Sequence, residues 1–161
     1  LLEVIDKALR ENVRDGKHTV LVLDEAHMIE NESVFEIMRL LLNFHNADGF
    51  LLTLLLVGHP ELASRLAALK QLSQRIPISC VLKHLDRNET EAYIKARLAI
   101  AGNPESPFAA DALDLIHRNS GGIPRRINTL CDLGLTVGFA QKAERIDARL
   151  VQEAADKFGV T

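Results

Sequence analysis

The chain has 161 residues, 47% of them hydrophobic and 25% charged, which suffices for a buried core in one domain or one domain with a small appendage. A formal net charge of −3 gives no broad basic field for nucleic acid, and with no Trp and one Tyr few side chains could stack on bases. Cys80 and Cys131 match no metal or redox spacing and read as buried thiols in a reducing cytosol; no apolar run approaches the ~20 residues of a membrane helix, and no signal peptide opens the sequence.

Leu1, Leu2, Val4, Ile5, Ala8, Leu9 and Val13 recur at helical spacing and predict a helix over residues 1–15, stopped by Gly16. That helix starts without a cap, as a segment from the interior of a longer protein would. Thr19-Val20-Leu21-Val22-Leu23 is an apolar run without alternation, which predicts a parallel strand covered on both faces. It ends in Asp24-Glu25, at the carboxyl end of the strand, where open α/β sheets bind their ligands. This is the spacing of a Walker B segment, in which the first acid holds Mg²⁺ and the second prepares the attacking water. The alternative is a plain strand end with two solvated acids.

Asn31 is a candidate cap for a helix over 32–45, with Val34, Ile37, Met38, Leu41 and Leu42 on one face and a turn at Asp48-Gly49. Phe50 to Val57 predicts a second buried strand, and His59 just beyond it could reach the same crevice or be a loop histidine without a role. Pro60 opens a helix over 60–69, and Ile78 to Leu82 predicts a third strand. Arg75 precedes that strand with no acid four residues before it. It is either a solvated arginine or a cation offered to a phosphate, including one in a neighbouring subunit.

From Asp86 the pattern turns helical. One helix runs from an Asp86 or Asn88 cap to Ala101, a second starts at Ser106-Pro107, a third at Pro124, and a fourth covers 147–158. Arg125 and Arg126 fall in the first turn of the third helix, where the helix dipole disfavours cations by a few tenths to ~1 kcal/mol each. A phosphate would relieve that cost, as would local pairing with Asp132 or Glu144.

Leu23-Asp24-Glu25-Ala26-His27, Val57-Gly58-His59-Pro60-Glu61-Leu62, Gln74-Arg75-Ile76 and Ser120-Gly121-Gly122-Ile123-Pro124-Arg125-Arg126-Ile127-Asn128 together resemble a AAA+ ATPase. Among these proteins the chain resembles the bacterial general secretion pathway A (ExeA-type) family, and also the TniB-like transposition ATPases. The resemblance implies an α/β fold: part of a AAA+ P-loop NTPase parallel sheet over residues 1–85, then a small all-α lid over 86–161. It implies ATP and Mg²⁺ as cofactors in the parent protein. Asp24 would match the magnesium residue, Glu25 the catalytic glutamate and Arg75 the arginine finger acting in trans. His59 stands where the family usually carries a polar sensor 1, commonly glutamine. Arg125 would match the sensor 2 arginine, with Arg126 as the runner-up.

No Gly-x-x-x-x-Gly-Lys-Ser/Thr loop occurs in this sequence. The chain is therefore expected to be the carboxyl-terminal part of a longer ATPase, and to bind ATP poorly by itself. In the strand order 5-1-4-3-2 that the resemblance implies, the strand at 78–82 would lack its neighbour. It would then shift beside 50–57, or a second copy would fill the gap. The expected function is ATP-driven remodelling of a protein assembly in secretion or pilus biogenesis, by a cytoplasmic homo-oligomer joined through Arg75, with an inner-membrane anchor of the parent, outside this segment, as the alternative location. The alternatives are a DNA-transposition helper and a non-catalytic interaction domain. Asp-Glu-Ala-His also occurs in superfamily 2 helicases, but no Ser-Ala-Thr motif follows it here.

Overall fold

The computed structural model describes residues 2–47 and 49–159. The helix expected at the start forms as α1 (Leu2–Arg14), and the acidic strand as β1 (Thr19–Leu23). A short 3-10 turn over Ala26–Met28 leads to α2 (Glu32–Leu41), capped by Asn31, whose side chain accepts the Ser33 amide. The expected extension of α2 to residue 45 does not form. His45–Asn46 (β2) pairs instead with Gly49–Phe50 (β3) in a short antiparallel hairpin. Leu1 and Asp48, named above for the first helix and its following turn, lie outside the described residues.

The second long strand, β4 (Leu52–Leu56), is shorter than expected because Phe50 belongs to the hairpin. It pairs in parallel with β1 in the register Thr19↔Leu52 to Leu23↔Leu56. Alternation along both strands puts Leu21, Leu23, Leu52, Leu54 and Leu56 on one face. That face is covered by α1 through Ile5, Leu9 and Val13, by α2 through Phe35 and Met38, and by α3 (Glu61–Ala68) through Leu62 and Leu66. The other face carries Val20, Val22 and Leu55, which are 53%, 52% and 49% exposed. The expectation of a strand buried on both faces is therefore corrected: apolarity marks both faces of β1, but the helices of its own unit cover one.

A second correction concerns residues 78–82. Beyond α4 (Lys70–Ser73) the chain runs without regular structure to residue 86, and Ile78, Val81 and Leu82 are exposed. A strand is stable only beside a partner that satisfies its backbone groups. None of the described strands pairs with this segment. Cys80, expected to be buried, is exposed here, whereas burial pushes the Cys131 thiol up to about 12.

The chain divides into two compact units, Leu1–Val81 and Leu82–Thr161. The second is all helical: α5 (Arg87–Ile100), α6 (Ala110–Ser120), α7 (Pro124–Ala140) and α8 (Ala148–Phe158). Its core gathers Ile94, Phe108, Ile116, Ile127, Leu130 and Val151. Asp86 starts α5 with a capping box: its carboxylate accepts the Glu89 amide at 2.8 Å and Glu89 accepts the Asp86 amide at 2.9 Å. The Ser106-Pro107 helix start is not observed. Ile146 donates its amide to the Pro107 carbonyl at 2.9 Å and accepts the Ala109 amide at 2.8 Å. That bridge keeps the backbone at Phe108 extended, so α6 begins at Ala110.

The Gly121-Gly122 break has two distinct tasks. Gly121 ends α6 in the left-handed region at φ 60° and has open space around it. Gly122, at φ 72°, lies against the backbone of Leu85: its carbonyl accepts the Leu85 amide at 2.9 Å, and a Cβ there would sit 2.0 Å from the Leu85 oxygen. Gly121→Ala should thus cost about 1–2 kcal/mol from backbone strain alone. Gly122→Ala should cost about 2–5 kcal/mol, because overpacking against fixed backbone adds to the same strain. Urea unfolding of the two variants followed by circular dichroism checks the order.

Candidate active site

Parallel pairing aligns the carboxyl ends of β1 and β4, and hydrogen bonds carry the alignment past both strands. Val57 donates its amide to Leu23 at 2.9 Å, and Ala26 donates to Val57 at 2.8 Å. Between those bonds the chain turns sharply at Asp24-Glu25. Glu25 takes a left-handed conformation, φ 52° and ψ 33°, and its amide is held by Asp24 Oδ1 at 2.8 Å. A non-glycine residue there costs about 1–3 kcal/mol and persists only where its surroundings fix it. The turn leaves both carboxylates exposed, with the side chain of Glu25 66% accessible.

The next helical turn brings His27 back towards Glu25. His27 Nδ1 lies 3.3 Å from Glu25 Oε2, and its side chain is only 8% exposed. From the end of β4, His59 stacks on it with ring centroids 3.9 Å apart and planes 12° from parallel. The His59 amide also points at His27 Nδ1, at 3.4 Å. Gly58 makes this approach possible, since a Cβ on it would stand 3.1 Å from the His27 amide and 3.2 Å from Nδ1. Arg65 on α3 braces the turn from below. Its guanidinium donates to the His27 carbonyl at 2.6 Å and to the Ile29 carbonyl, and lies 5.7 Å from the centre of the Phe35 ring.

Of the residues singled out in the sequence, Asp24, Glu25 and His59 thus meet at one end of the strands. Arg75 does not join them. It is exposed and donates from Nη1 to the Leu42 carbonyl, just past the end of α2, at 3.3 Å. Arg125 and Arg126 are exposed in the first turn of α7, in the helical unit. Among the described residues neither forms an ion pair, so pairing with Asp132 or Glu144 does not account for them. That helix start is positioned instead by Ile127, fully buried, and by Asn128, which accepts the Tyr93 hydroxyl at 3.1 Å.

The family model described as "AAA domain" matches residues 2–66. The general secretion pathway protein A of Aeromonas hydrophila is 39% identical over 149 residues, covering 91% of this chain and 27% of that protein. The chain thus carries a AAA domain and is similar to general secretion pathway protein A. An uncharacterised HTH-type transcriptional regulator of Methanocaldococcus jannaschii is 26% identical, covering 98% of this chain and 39% of that one. Among solved structures, the Thermotoga maritima RuvB Holliday junction branch migration motor aligns with a TM-score of 0.69 at 20% identity, over 94% of this chain and 49% of that one. The Aeropyrum pernix ORC2 protein, solved as ADPNP and ADP complexes, gives a TM-score of 0.69 at 15% identity over 97% and 43%. These likenesses give the AAA+ chain its fold, that of the P-loop NTPases. The chain spans about a quarter to two fifths of the length of the curated relatives it matches. Among the described residues no helix is long and apolar enough to cross a membrane.

Two site residues escape sequence reading. Arg65 sits 38 residues from His27 and carries no motif, so only the packing of α3 against the 3-10 turn brings it to the carbonyls it binds. His27 is visible inside Asp-Glu-Ala-His, but its contact with His59 depends on strand register. Arg65→Ala should lower the unfolding free energy by about 1.5–3 kcal/mol, the worth of charged hydrogen bonds that leave carbonyls unmet. Arg65→Lys should recover only part of the loss, because an ammonium cannot reproduce the fork to two carbonyls. Thermal melts of the three proteins test this. Glu25→Gly, by contrast, should raise stability by about 1 kcal/mol through relief of the left-handed strain, measurable in the same melts.

Proposed function

We propose that this AAA+ chain supplies the carboxylate and sensor half of an ATP-hydrolysing site, in a protein that remodels an assembly of the general secretion pathway. Asp24 would hold Mg²⁺, Glu25 would orient and deprotonate the attacking water, and His59 would donate a hydrogen bond towards the terminal phosphate as sensor 1. The observation that carries the reading is the strained turn at Glu25, which projects an exposed carboxylate beside His59 at the end of two parallel strands. Asp24 fits a hydrated Mg²⁺. Oδ1 is committed to the Glu25 amide, and among the described residues Oδ2 accepts no hydrogen bond, which leaves a hard oxygen donor facing solvent. The metal, when bound, neutralises charge on the phosphate oxygens. The glycine-rich cradle for those phosphates is not in this sequence, so the nucleotide is held jointly with a Walker A loop from elsewhere in the parent.

Arg75 acts on the nucleotide of a neighbouring subunit. Its side chain bonds the Leu42 carbonyl and, among the described residues, pairs with no carboxylate of its own chain, which supports a role in trans. Arg125, with Arg126 beside it, contacts phosphate from the first turn of α7. Two unpaired cations at the positive end of a helix favour an anion there. The identity to general secretion pathway protein A supports the place in general secretion.

The reading is tested in a polypeptide that joins this segment to a Walker A loop. Glu25→Gln should keep nucleotide binding and slow hydrolysis by about 10²-fold or more, as loss of a general base does. Arg75→Ala should also abolish turnover, and mixing it with Glu25→Gln subunits should restore part of the rate. Equal loss in the mixture and in each variant alone would refute the action in trans.

A further inference from the structure

We propose that Glu25, His27 and His59 form a binding site for a divalent transition-metal ion of the zinc class. One ligand atom from each of the three lies within 4.8 Å of the others. The Glu25 Oε2 to His27 Nδ1 distance is 3.3 Å. Zinc bonds near 2.0–2.1 Å give a tetrahedron with an edge of about 3.3 Å, so this pair already spans one edge. Two imidazoles and a carboxylate are a zinc donor set that leaves a fourth position for water.

His27 Nδ1, the nitrogen that faces Glu25 Oε2, carries one long hydrogen bond. The His59 amide approaches His27 Nδ1 at 3.4 Å, beyond the usual range for a hydrogen bond, so little is lost when an ion takes the lone pair. Gly58 keeps the space beside that nitrogen clear, because any side chain there would stand 3.2 Å from it. The ligands also differ in freedom in a useful way. His27 is nearly buried and its carbonyl is pinned by Arg65, so it fixes the position of the site. His59 is exposed and follows a glycine, so its ring can turn from the stacked arrangement to complete the coordination. Imidazole donors favour zinc, cobalt, nickel and copper over Mg²⁺, so this ion is distinct from the one proposed at Asp24. A bound ion would also withdraw the Glu25 carboxylate from water activation. That consequence rests on the proposed function, whereas the site itself does not.

The test uses the chain without nucleotide, so its outcome is independent of the ATPase reading. Calorimetric titration with ZnCl₂ should show one ion per chain, and Co²⁺ should give the intense visible absorption of a tetrahedral complex. Excess MgCl₂ should leave both signals unchanged. His59→Gln, an exposed and amide-for-imidazole change, should weaken Zn²⁺ binding by about 10²-fold, as should Glu25→Gln, at or above the loss seen when a mere supporting partner of a metal ligand is removed. Circular dichroism confirms that both variants are folded. Absence of Zn²⁺ binding overturns the proposal. So does unchanged affinity in His59→Gln, which would place the ion elsewhere, for instance at the exposed Cys80.

Discussion

The parallel pairing of β1 with β4 is the constraint on which the rest of the first unit depends. Its register fixes which leucines face the helices and where the two strands end. Because the bonds continue through Leu23, Val57 and Ala26, the chain cannot drift apart at the point where it turns. A slip by one residue would exchange every buried leucine with an exposed position. It would also separate His27 from His59. Stability and site geometry therefore rest on the same ladder.

The site is built from competing local costs. Glu25 accepts an unfavourable backbone conformation, which the amide bonds on either side of it and the Arg65 brace hold in place. A relaxed turn would not keep two carboxylates and two imidazoles at one strand edge. The exposed apolar face formed by Val20, Val22 and Leu55 is a separate matter. It shows that the helices of the first unit cover one side of the sheet, and that the strands carry more apolar surface than those helices bury.

The helical unit uses different means. Short polar links set its elements: the Asp86 capping box, the Tyr93–Asn128 hydrogen bond, and the contact of buried Thr90 with His117 at 3.0 Å. Arg87 ties α5 to α6 by bonding Asp114 as well as Glu91, and those acids hold its guanidinium above its usual range. Gly122 lets the α6–α7 break rest on the Leu85 backbone. The first turn of α7 is thereby held from behind while Arg125 and Arg126 remain exposed.

The sequence by itself determined the elements whose cause is local. Helical spacing, the caps at Asn31 and Asp86, Pro124 and the closing glycines placed most helices within a few residues. The adjacent acids at the end of a β-rich run marked Asp24 and Glu25, and the motif set carried the AAA+ assignment. Elements that need a distant partner were decided only by the tertiary structure. Residues 78–82 have strand-like side chains but pair with none of the described strands, so they stay irregular. Phe108 is extended because Ile146 pairs with it, which moves the start of α6 past Pro107. The stacking of His27 on His59 and the grip of Arg65 join residues more than thirty positions apart, through strand register and helix packing. Spacing along the chain reports the periodicity of one element, whereas which side chains meet across elements depends on how their faces pack.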